Sequence, residues 1–418
     1  MISRQQHIIW LSGERWDRYA GSHRHMAVAL AEHARILWVD PPISPATRTR
    51  QRDGQPRMLT PALTQPSDRI TRLTPVVLPG FSRPGIRSTT ARLIRAQVWW
   101  AVRKLKIQPS AVVMAYLGDL LGGWGEGVTN VLFGTDDYVA GAELMGLSAG
   151  YLHGLERRAL ARADVVVAVT QDLARRWSGG RARTVVIPNG CWPATGTTAR
   201  RAPDAARLPW PVIGLVGHLA DRIDFDVLDA IADAGFSLLL VGPRDPQWEP
   251  VRFSQLIDRP SVCYVGAVPS ADVPSYLAAV DVGITPYRDT PFNRASFPLK
   301  TLEYLGAGLP VISADLPAAR WLRSDLIRAA RERDAEQVLQ LASAKTGYVN
   351  AIRNLIQNYG TTEPAGFATA PTGWKKDLAS GCIAFAERHS WPQRAETFIS
   401  EIGLSTPGKS VTATNNRS

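Results

Sequence analysis

The chain is expected to fold as two α/β domains, each built on a doubly wound parallel sheet. Three observations predict this. At 418 residues the chain is too long for one ordinary domain and long enough for two sizeable cores. Two segments open alike, with a short apolar strand running into glycine: His7-Ile8-Ile9-Trp10-Leu11-Ser12-Gly13 and Val212-Ile213-Gly214-Leu215-Val216-Gly217. After each opening, β-branched runs of strand length alternate with helical patterns, as they do in βαβ units.

Taken in order, strands are expected at residues 7–11, 35–39, 75–78, 111–115, 130–133, 164–169 and 184–187 in the first half. In the second half they are expected at 212–216, 237–241, 262–265, 281–284 and 309–312. Residues 41–90, rich in proline, arginine and threonine, read as a long mobile connection after a strand. Residues 91–108 read as a helix. Leu93, Ile94, Val98, Val102 and Leu105 form an apolar stripe flanked by Arg92, Arg95, Arg103, Lys104 and Lys106, with Trp99 and Trp100 beside it. That pattern fits a sheet-packing helix with a solvated basic face as well as a helix lying on an anionic membrane. Pro188-Asn189-Gly190 reads as a turn closing the first domain. The polar stretch 195–209 reads as a joint, dividing residues 1–205 from residues 206–385. Residues 343–378 read as irregular, 379–403 as a final helix and 404–418 as a disordered polar tail.

Composition narrows the classes. With 45% hydrophobic and 20% charged residues the chain is globular. No apolar run reaches the ~18–20 residues of a membrane span, and the first residues hold only a strand-length apolar run, so no signal peptide is expected. Cys191, Cys263 and Cys382 lie far apart without metal-ligand spacing, which suits reduced thiols in a cytoplasmic protein. The net charge of +11 favours anionic partners. No nucleic-acid-reading module accompanies it, so nucleic acid is not an expected partner.

The stretch SFPLKTLEYLGAGLPVIS, residues 296–313, is the most informative in the chain. Thr301 to Leu305 reads as a short helix ended by Gly306 and Gly308, and Leu309 to Ser313 as a buried strand with Pro310 at its entrance. Lys300 stands three residues before Glu303, so both project from one side of the first turns. A cation and a carboxylate beside a helix start suit a ligand with phosphates at one end and a ribose diol at the other. Lys-x-x-Glu by itself is more often a surface ion pair. The whole pattern resembles the donor-nucleotide segment of GT-B glycosyltransferases. It looks closest to the family-4-like bacterial enzymes that build teichuronic acid and other surface polysaccharides. Those enzymes carry a Glu-x7-Glu pair, then small residues and Gly-x-Pro-Val. Here Glu303 is the second glutamate, Gly308-Leu309-Pro310-Val311 follows, and Ala295 stands in place of the first.

The resemblance implies two Rossmann-like domains facing across a cleft, with the donor held by the second and the final helix, 386–403, crossing back to the first. The family's Gly-Arg-Leu after the first strand of the donor domain is Gly217-His218-Leu219 here. A neutral histidine is the weaker phosphate ligand, so the cationic role is expected to pass to Arg222. Gly242 and Val265 end strands where the family meets the base through backbone atoms. Tyr287 and Ser296 complete the donor side with Lys300 and Glu303, although Tyr287 is as readily a packed tyrosine.

On the acceptor side, Gly13, Glu14 and Trp16 follow the first strand, and His23 and Arg24 open the next helix. His23 and His25 are two apart and point apart, which argues against a metal site. Asp136 and Asp137 follow the strand Val131-Leu132-Phe133, placed to take a proton from an acceptor hydroxyl, with Asp137 ranked first. The xanthan-type glucuronosyltransferases, which the chain also resembles, use an aspartate in an equivalent loop. One of the pair is expected to cap a helix at 138–147 instead. An inverting transferase needs such a base, whereas in a retaining one the leaving phosphate can take the proton. Asp224-Phe225-Asp226 has the spacing of a metal motif but sits at a helix start, so it reads as a cap.

The expected function is therefore metal- and cofactor-independent transfer of a sugar, from a UDP-sugar by preference, to a glycan or lipid-linked acceptor at the inner membrane face. A sugar-nucleotide epimerase or hydrolase of the same fold, and an inactive transferase-like scaffold, remain the alternatives.

Overall fold

The computed structural model describes residues 5–17, 21–44, 60–80, 85–143, 145–193, 200–205, 207–329, 332–357 and 374–404. They form two compact units, one of residues 1–188 with 391–418 and one of residues 189–390. The division falls before the boundary expected near 205. Ala202 and Ala205 are buried in the second unit, and the Ala202 amide donates to the Ser275 carbonyl at 3.1 Å.

The first unit holds β1 (His7–Ser12), β2 (Arg35–Val39), β3 (Ala62–Ser67), β4 (Ile70–Thr74), β5 (Ala111–Ala115), β6 (Thr129–Gly134), β7 (Val165–Ala168) and β8 (Arg183–Val186). Their order in the sheet is β3-β4-β2-β1-β5-β6-β7-β8, with only the β3–β4 pair antiparallel. The second holds β9 (Val212–Val216), β10 (Ser237–Val241), β11 (Val262–Gly266), β12 (Val282–Thr285), β13 (Val311–Ala314) and β14 (Leu339–Ala342), in the all-parallel order β11-β10-β9-β12-β13-β14. In each sheet the opening strand lies inside: β1 between β2 and β5, β9 between β10 and β12. Chain connections leave these strands towards opposite edges, so their carboxyl ends are the switch points where open α/β sheets bind ligands. Gly13 and Gly217 stand there.

Burial follows the pleat. Ile9 and Leu11 face one core with Val98 and Val102 of the helix Arg87–Lys104. Trp10 points to the opposite face, where its ring lies 6.5 Å from Trp38, 5.3 Å from Phe133 and 6.2 Å from Phe398. The helix Trp391–Glu401 supplies Phe398 and packs beside the helix Ser22–Leu30, with Trp391 stacked on His25 at 5.6 Å. It thereby completes the first unit's core from the far end of the sequence.

Several expectations are corrected. Residues 62–74 are a hairpin within the stretch read as a connection, and the strand expected at 75–78 is only a bridge between Val76 and Ile43. Pro66 and a register irregularity mark β3 as an edge strand, which is why it reads as loop. Residues 45–59 of that stretch lie outside the described residues. The helix expected at 138–147 is a series of turns, broken at Gly146, whose φ is +64°. Residues 339–342 form the unanticipated β14, and Lys345–Gln357 is a helix burying Tyr348, Ile352 and Leu355. The final helix is two, Trp374–Glu387 and Trp391–Glu401. The tail from 405 lies outside the described residues. In the helix Arg87–Lys104 the apolar stripe is spent on the core, and Trp99 packs against Trp124 at 5.7 Å. Of its two tryptophans only Trp100 is exposed, at 38%, with Lys104 Nζ 5.0 Å from its ring centroid.

Phe398 is fully buried among rings at the centre of the first unit. Phe398→Ala is expected to destabilise that unit by about 3–5 kcal/mol, read by urea denaturation. A loss below about 1 kcal/mol would mean that the C-terminal helix does not complete this core.

Candidate functional site

In the second unit the site is organised by the helix Leu299–Gly306. Thr301, Leu302, Tyr304 and Leu305 are buried, while Lys300 and Glu303 occupy the opposite, half-buried side. The Lys300 ammonium donates to Glu303 Oε2 at 2.6 Å. Burial works against the lysine's charge, but the glutamate beside it prevails and holds its pKa above the ordinary value. The Tyr304 hydroxyl accepts the backbone N–H of Val216 at 2.6 Å, tying this helix to the end of β9. Its ring lies against Gly283 of β12, where a Cβ would come within 2.6 Å of it.

Small residues then let the strand ends converge. A Cβ on Gly217 would sit 3.3 Å from Lys300 Cε, so the lysine stem runs over that glycine. Gly242, with φ +134°, lies so close that a Cβ there would overlap the Gly217 carbonyl. Its N–H donates to Gly266 at 2.7 Å, and half-buried Val265 immediately precedes that residue. Gly217, Gly242, Lys300 and Glu303 therefore form one constellation at the carboxyl edge of the sheet, with Val265 on its β11 side.

Arg222 makes a second cationic point. Its Nε donates to Asn293 Oδ1 at 3.0 Å, and its guanidinium lies 5.1 Å from the ring centroids of both Tyr287 and Phe292. Asn293 donates back to the carbonyls of Arg222 at 3.2 Å and Arg288 at 2.8 Å. Arg222, Tyr287 and Asn293 line a depression with Ser296 and Ser313. The Ser296 hydroxyl donates to the Phe292 carbonyl at 3.0 Å, and Ala295 is buried. His218 is exposed. Asp224 caps the helix Phe225–Asp233, accepting the Asp226 N–H at 3.1 Å, while Asp226 pairs with Arg252.

In the first unit, Asp40 at the end of β2 anchors the loop after β1. It accepts from the Trp16 amide at 3.0 Å, Trp38 Nε1 at 2.9 Å, Arg72 Nε at 2.7 Å and the Thr74 hydroxyl at 3.0 Å. Arg24 donates to the Trp16 carbonyl at 3.1 Å and stacks over its ring at 4.8 Å. His23 is buried, with Nε2 3.4 Å from the Thr135 hydroxyl, and burial lowers its pKa to about 4, so it is neutral at pH 7. Glu14 lies between that helix start and Asp136. Burial first, and the Asp136 charge second, raise its carboxyl from the ordinary 4.5 to about 7.

Asp137, ranked first as the base, is engaged elsewhere. Its Oδ1 accepts the Ala140 amide at 2.8 Å, and its other oxygen pairs with Arg176. Arg176 in turn grips Glu156 through two contacts of 2.8 Å. Asp137 caps a turn and neutralises an arginine, which is the role a lone carboxylate near a strand end most often has.

Residues 211–358 match the family of glycosyl transferases group 1. TuaH of Bacillus subtilis (strain 168), a candidate teichuronic acid biosynthesis glycosyltransferase, is 30% identical over 172 residues, 39% of this chain and 43% of that protein. The match thus spans less than half of that relative's length. Among solved structures, sucrose-phosphate synthase from Thermosynechococcus elongatus superposes with a TM-score of 0.64 at 17% identity, covering 95% of this chain and 98% of that one. HepE from Anabaena, in complex with UDP-glucose, gives 0.59 at 17% identity, over 95% of this chain and 100% of that one. The fold is that of the GT-B glycosyltransferases.

The group 1 match covers β9 to the helix Lys345–Gln357, and with them all the donor-side candidates from Gly217 to Glu303. Sequence reasoning missed Tyr304, whose hydroxyl aligns the helix, and Asn293's clamp on Arg222. A tyrosine in a leucine-rich helix reads as plain core, and only the fold shows the amide it meets. Asp40 was missed for the same reason.

The Glu14 carboxyl gives a stability test. Its folded pKa lies above its unfolded one, so the folded state holds an extra proton between about pH 4.5 and 7. Stability then falls as pH rises through that window. Glu14→Gln should stabilise the protein by up to about 3 kcal/mol at pH 8 and little at pH 4. Equal effects at both pH values would refute the raised pKa.

Proposed function

We propose that the chain is a glycosyltransferase moving a sugar from a nucleoside-diphosphate donor, a UDP-sugar foremost, to a glycan or lipid-linked acceptor in surface polysaccharide or glycolipid synthesis. Lys300, lying over Gly217 and paired with Glu303, carries this reading. Lys300 and Arg222 would neutralise the diphosphate, and the amides at the start of the helix Leu299–Gly306 would receive its oxygens. Glu303 has one oxygen on Lys300 and a second with which to accept the ribose hydroxyls. The glycines at 217 and 242 let a ligand approach the backbone. Held so, the diphosphate leaves with its developing charge already matched, and positioning with electrostatics supplies most of the rate. The complexes of HepE with UDP-glucose and of the Escherichia coli trehalose-6-phosphate protein with UDP-2-fluoro glucose support a uridine donor here.

Lys300→Ala should weaken UDP binding about 10–100-fold, as loss of one charge-assisted contact implies, without lowering the melting temperature of the free protein. Titration calorimetry with UDP, GDP, ADP and dTDP reads both the base preference and the loss. Unchanged UDP affinity in the variant would remove the phosphate assignment, and silence from all four nucleotides would favour the inactive-scaffold reading.

A lipid-linked acceptor would place the enzyme at the cytoplasmic face of the membrane. The exposed Trp100, with Arg103 and Lys104 beside it on the outer face of its helix, supports a contact with anionic lipid. Trp100→Ala should lower binding to phosphatidylglycerol vesicles several-fold at low salt; identical sedimentation with the vesicles would discard this contact.

A further inference from the structure

We infer that the corner of the first unit formed by Glu14, His23 and Asp136 is a binding site for a primary ammonium group. The site rests on the transferase reading above only for the bearer of that group, which on that reading is an acceptor with an unsubstituted amino sugar.

The corner lies within one unit, at the carboxyl edge of its sheet. Gly13 and Glu14 follow β1, His23 is the second residue of the helix Ser22–Leu30, and Thr135, Asp136 and Tyr138 follow β6. Gly21 makes room for the carboxylate, because a Cβ at that residue would lie 2.5 Å from Glu14 Oε2. The imidazole edge of His23 is turned towards the same loop: Cε1 lies 3.8 Å from where a Gly13 Cβ would be. Gly13 is exposed, so the corner is reached from solution beside it.

Hydrogen bonding defines what is missing. Tyr138 spends its hydroxyl hydrogen on the Ala115 carbonyl at 3.3 Å, so at 3.2 Å it accepts from the Thr135 hydroxyl. Thr135 Oγ1, its own hydrogen so used, accepts from His23 Nε2 at 3.4 Å. Burial lowers the His23 pKa to about 4, so the neutral ring carries its one proton on Nε2 and leaves Nδ1 a bare acceptor. That nitrogen is buried without a partner in a residue only 4% exposed, and Glu14 Oε2, a second buried acceptor, has none either. Buried polar atoms are ordinarily satisfied. Two open acceptors in one corner call for a ligand with at least two hydrogens to give, more than one sugar hydroxyl offers.

Charge narrows the ligand further. Burial first, and the Asp136 charge second, hold the Glu14 carboxyl up at about 7. Tyr138 faces the same carboxyl as a buried phenol above its ordinary range, while Arg15 is engaged with Asp17 and Arg24 with Trp16. A cation entering the corner offsets the repulsion between the two carboxylates. Among the described residues no three side chains are set to hold a metal ion. A primary ammonium brings the charge together with three N–H donors, enough for Glu14 Oε2 and His23 Nδ1 at once.

The test titrates the full chain at neutral pH with glucosamine, N-acetylglucosamine and glucose by calorimetry, beside UDP. Glucosamine should bind at least about tenfold more tightly than either neutral sugar, the difference that a charge-assisted contact implies. Glu14→Gln, which keeps the shape and removes the charge, should erase that preference. Carbon-13 NMR of glutamate-labelled protein gives a second readout. The signal absent from Glu14→Gln should titrate near 7 in the free protein and clearly lower with glucosamine bound. A chain that binds the three sugars alike, or none of them, overturns the proposal and leaves the corner to water. A glucosamine preference that survives Glu14→Gln overturns it as well. Failure of UDP to bind removes the transferase reading and leaves the ammonium site standing, whereas UDP binding without a glucosamine preference removes the site alone.

Discussion

One hydrogen bond sets the geometry of the second unit's candidate site: the Val216 amide donating to the buried Tyr304 hydroxyl at 2.6 Å. At its last residue a parallel strand has an amide that the ladder need not satisfy, and burial makes an unsatisfied one cost about 1–3 kcal/mol. Tyr304 supplies that acceptor from a helix arriving some ninety residues later in the chain. In doing so it fixes the rotation of Leu299–Gly306, because the ring must also clear Gly283. With the buried side so determined, Lys300 runs over Gly217 with Glu303 beside it. Lys300 is thus positioned by an apolar contact and a phenol on the other side of its helix.

The first unit works by the opposite logic. Asp40 gathers four donors and is fully satisfied, and it holds the loop after β1 through the Trp16 amide and, by way of Arg72, through Asp17. The Asp17 carboxyl sits in a setting where burial opposes its charge, yet hydrogen bonds from Arg15 and Arg72 hold it down to about 2. That same rigid loop carries Glu14, which is left with a raised pKa and an open oxygen. Stable anchoring beside a destabilised carboxyl is a common division of labour at functional sites, where local cost is tolerated because the surroundings are over-determined.

The core of the first unit shows how distant segments become interdependent. Trp10, Trp38 and Phe133 leave an apolar face on the sheet, and the helix Trp391–Glu401 brings Phe398 to it. The second unit ends at Ser390, where the Cys191 and Ser390 backbones pair and the Cys191 amide donates to His389 at 3.1 Å. The two passages of the chain out of that unit therefore start side by side. This is the economical way to return a helix to a core whose other elements were made first.

By itself the sequence determined the two parallel sheets, the glycine turns that follow their opening strands, and the Lys300–Glu303 pair on one side of its helix. Short β-branched runs between helical patterns, and Lys-x-x-Glu at a helix start, are local signals that need no partner to be read. It was weakest where local composition and tertiary role disagree. The hairpin at 62–74 reads as a loop because edge strands are built of prolines and polar residues, and β14, only four residues long, was not anticipated. Only the tertiary structure separates the surroundings of the two adjacent carboxylates. Asp137 and Asp136 are adjacent in the chain and alike in character, yet one faces Arg176 from a helix some forty residues on while the other faces Glu14. A carboxyl group's chemistry depends on the charges and the solvent around it, and those are set by which loops the sheet brings together.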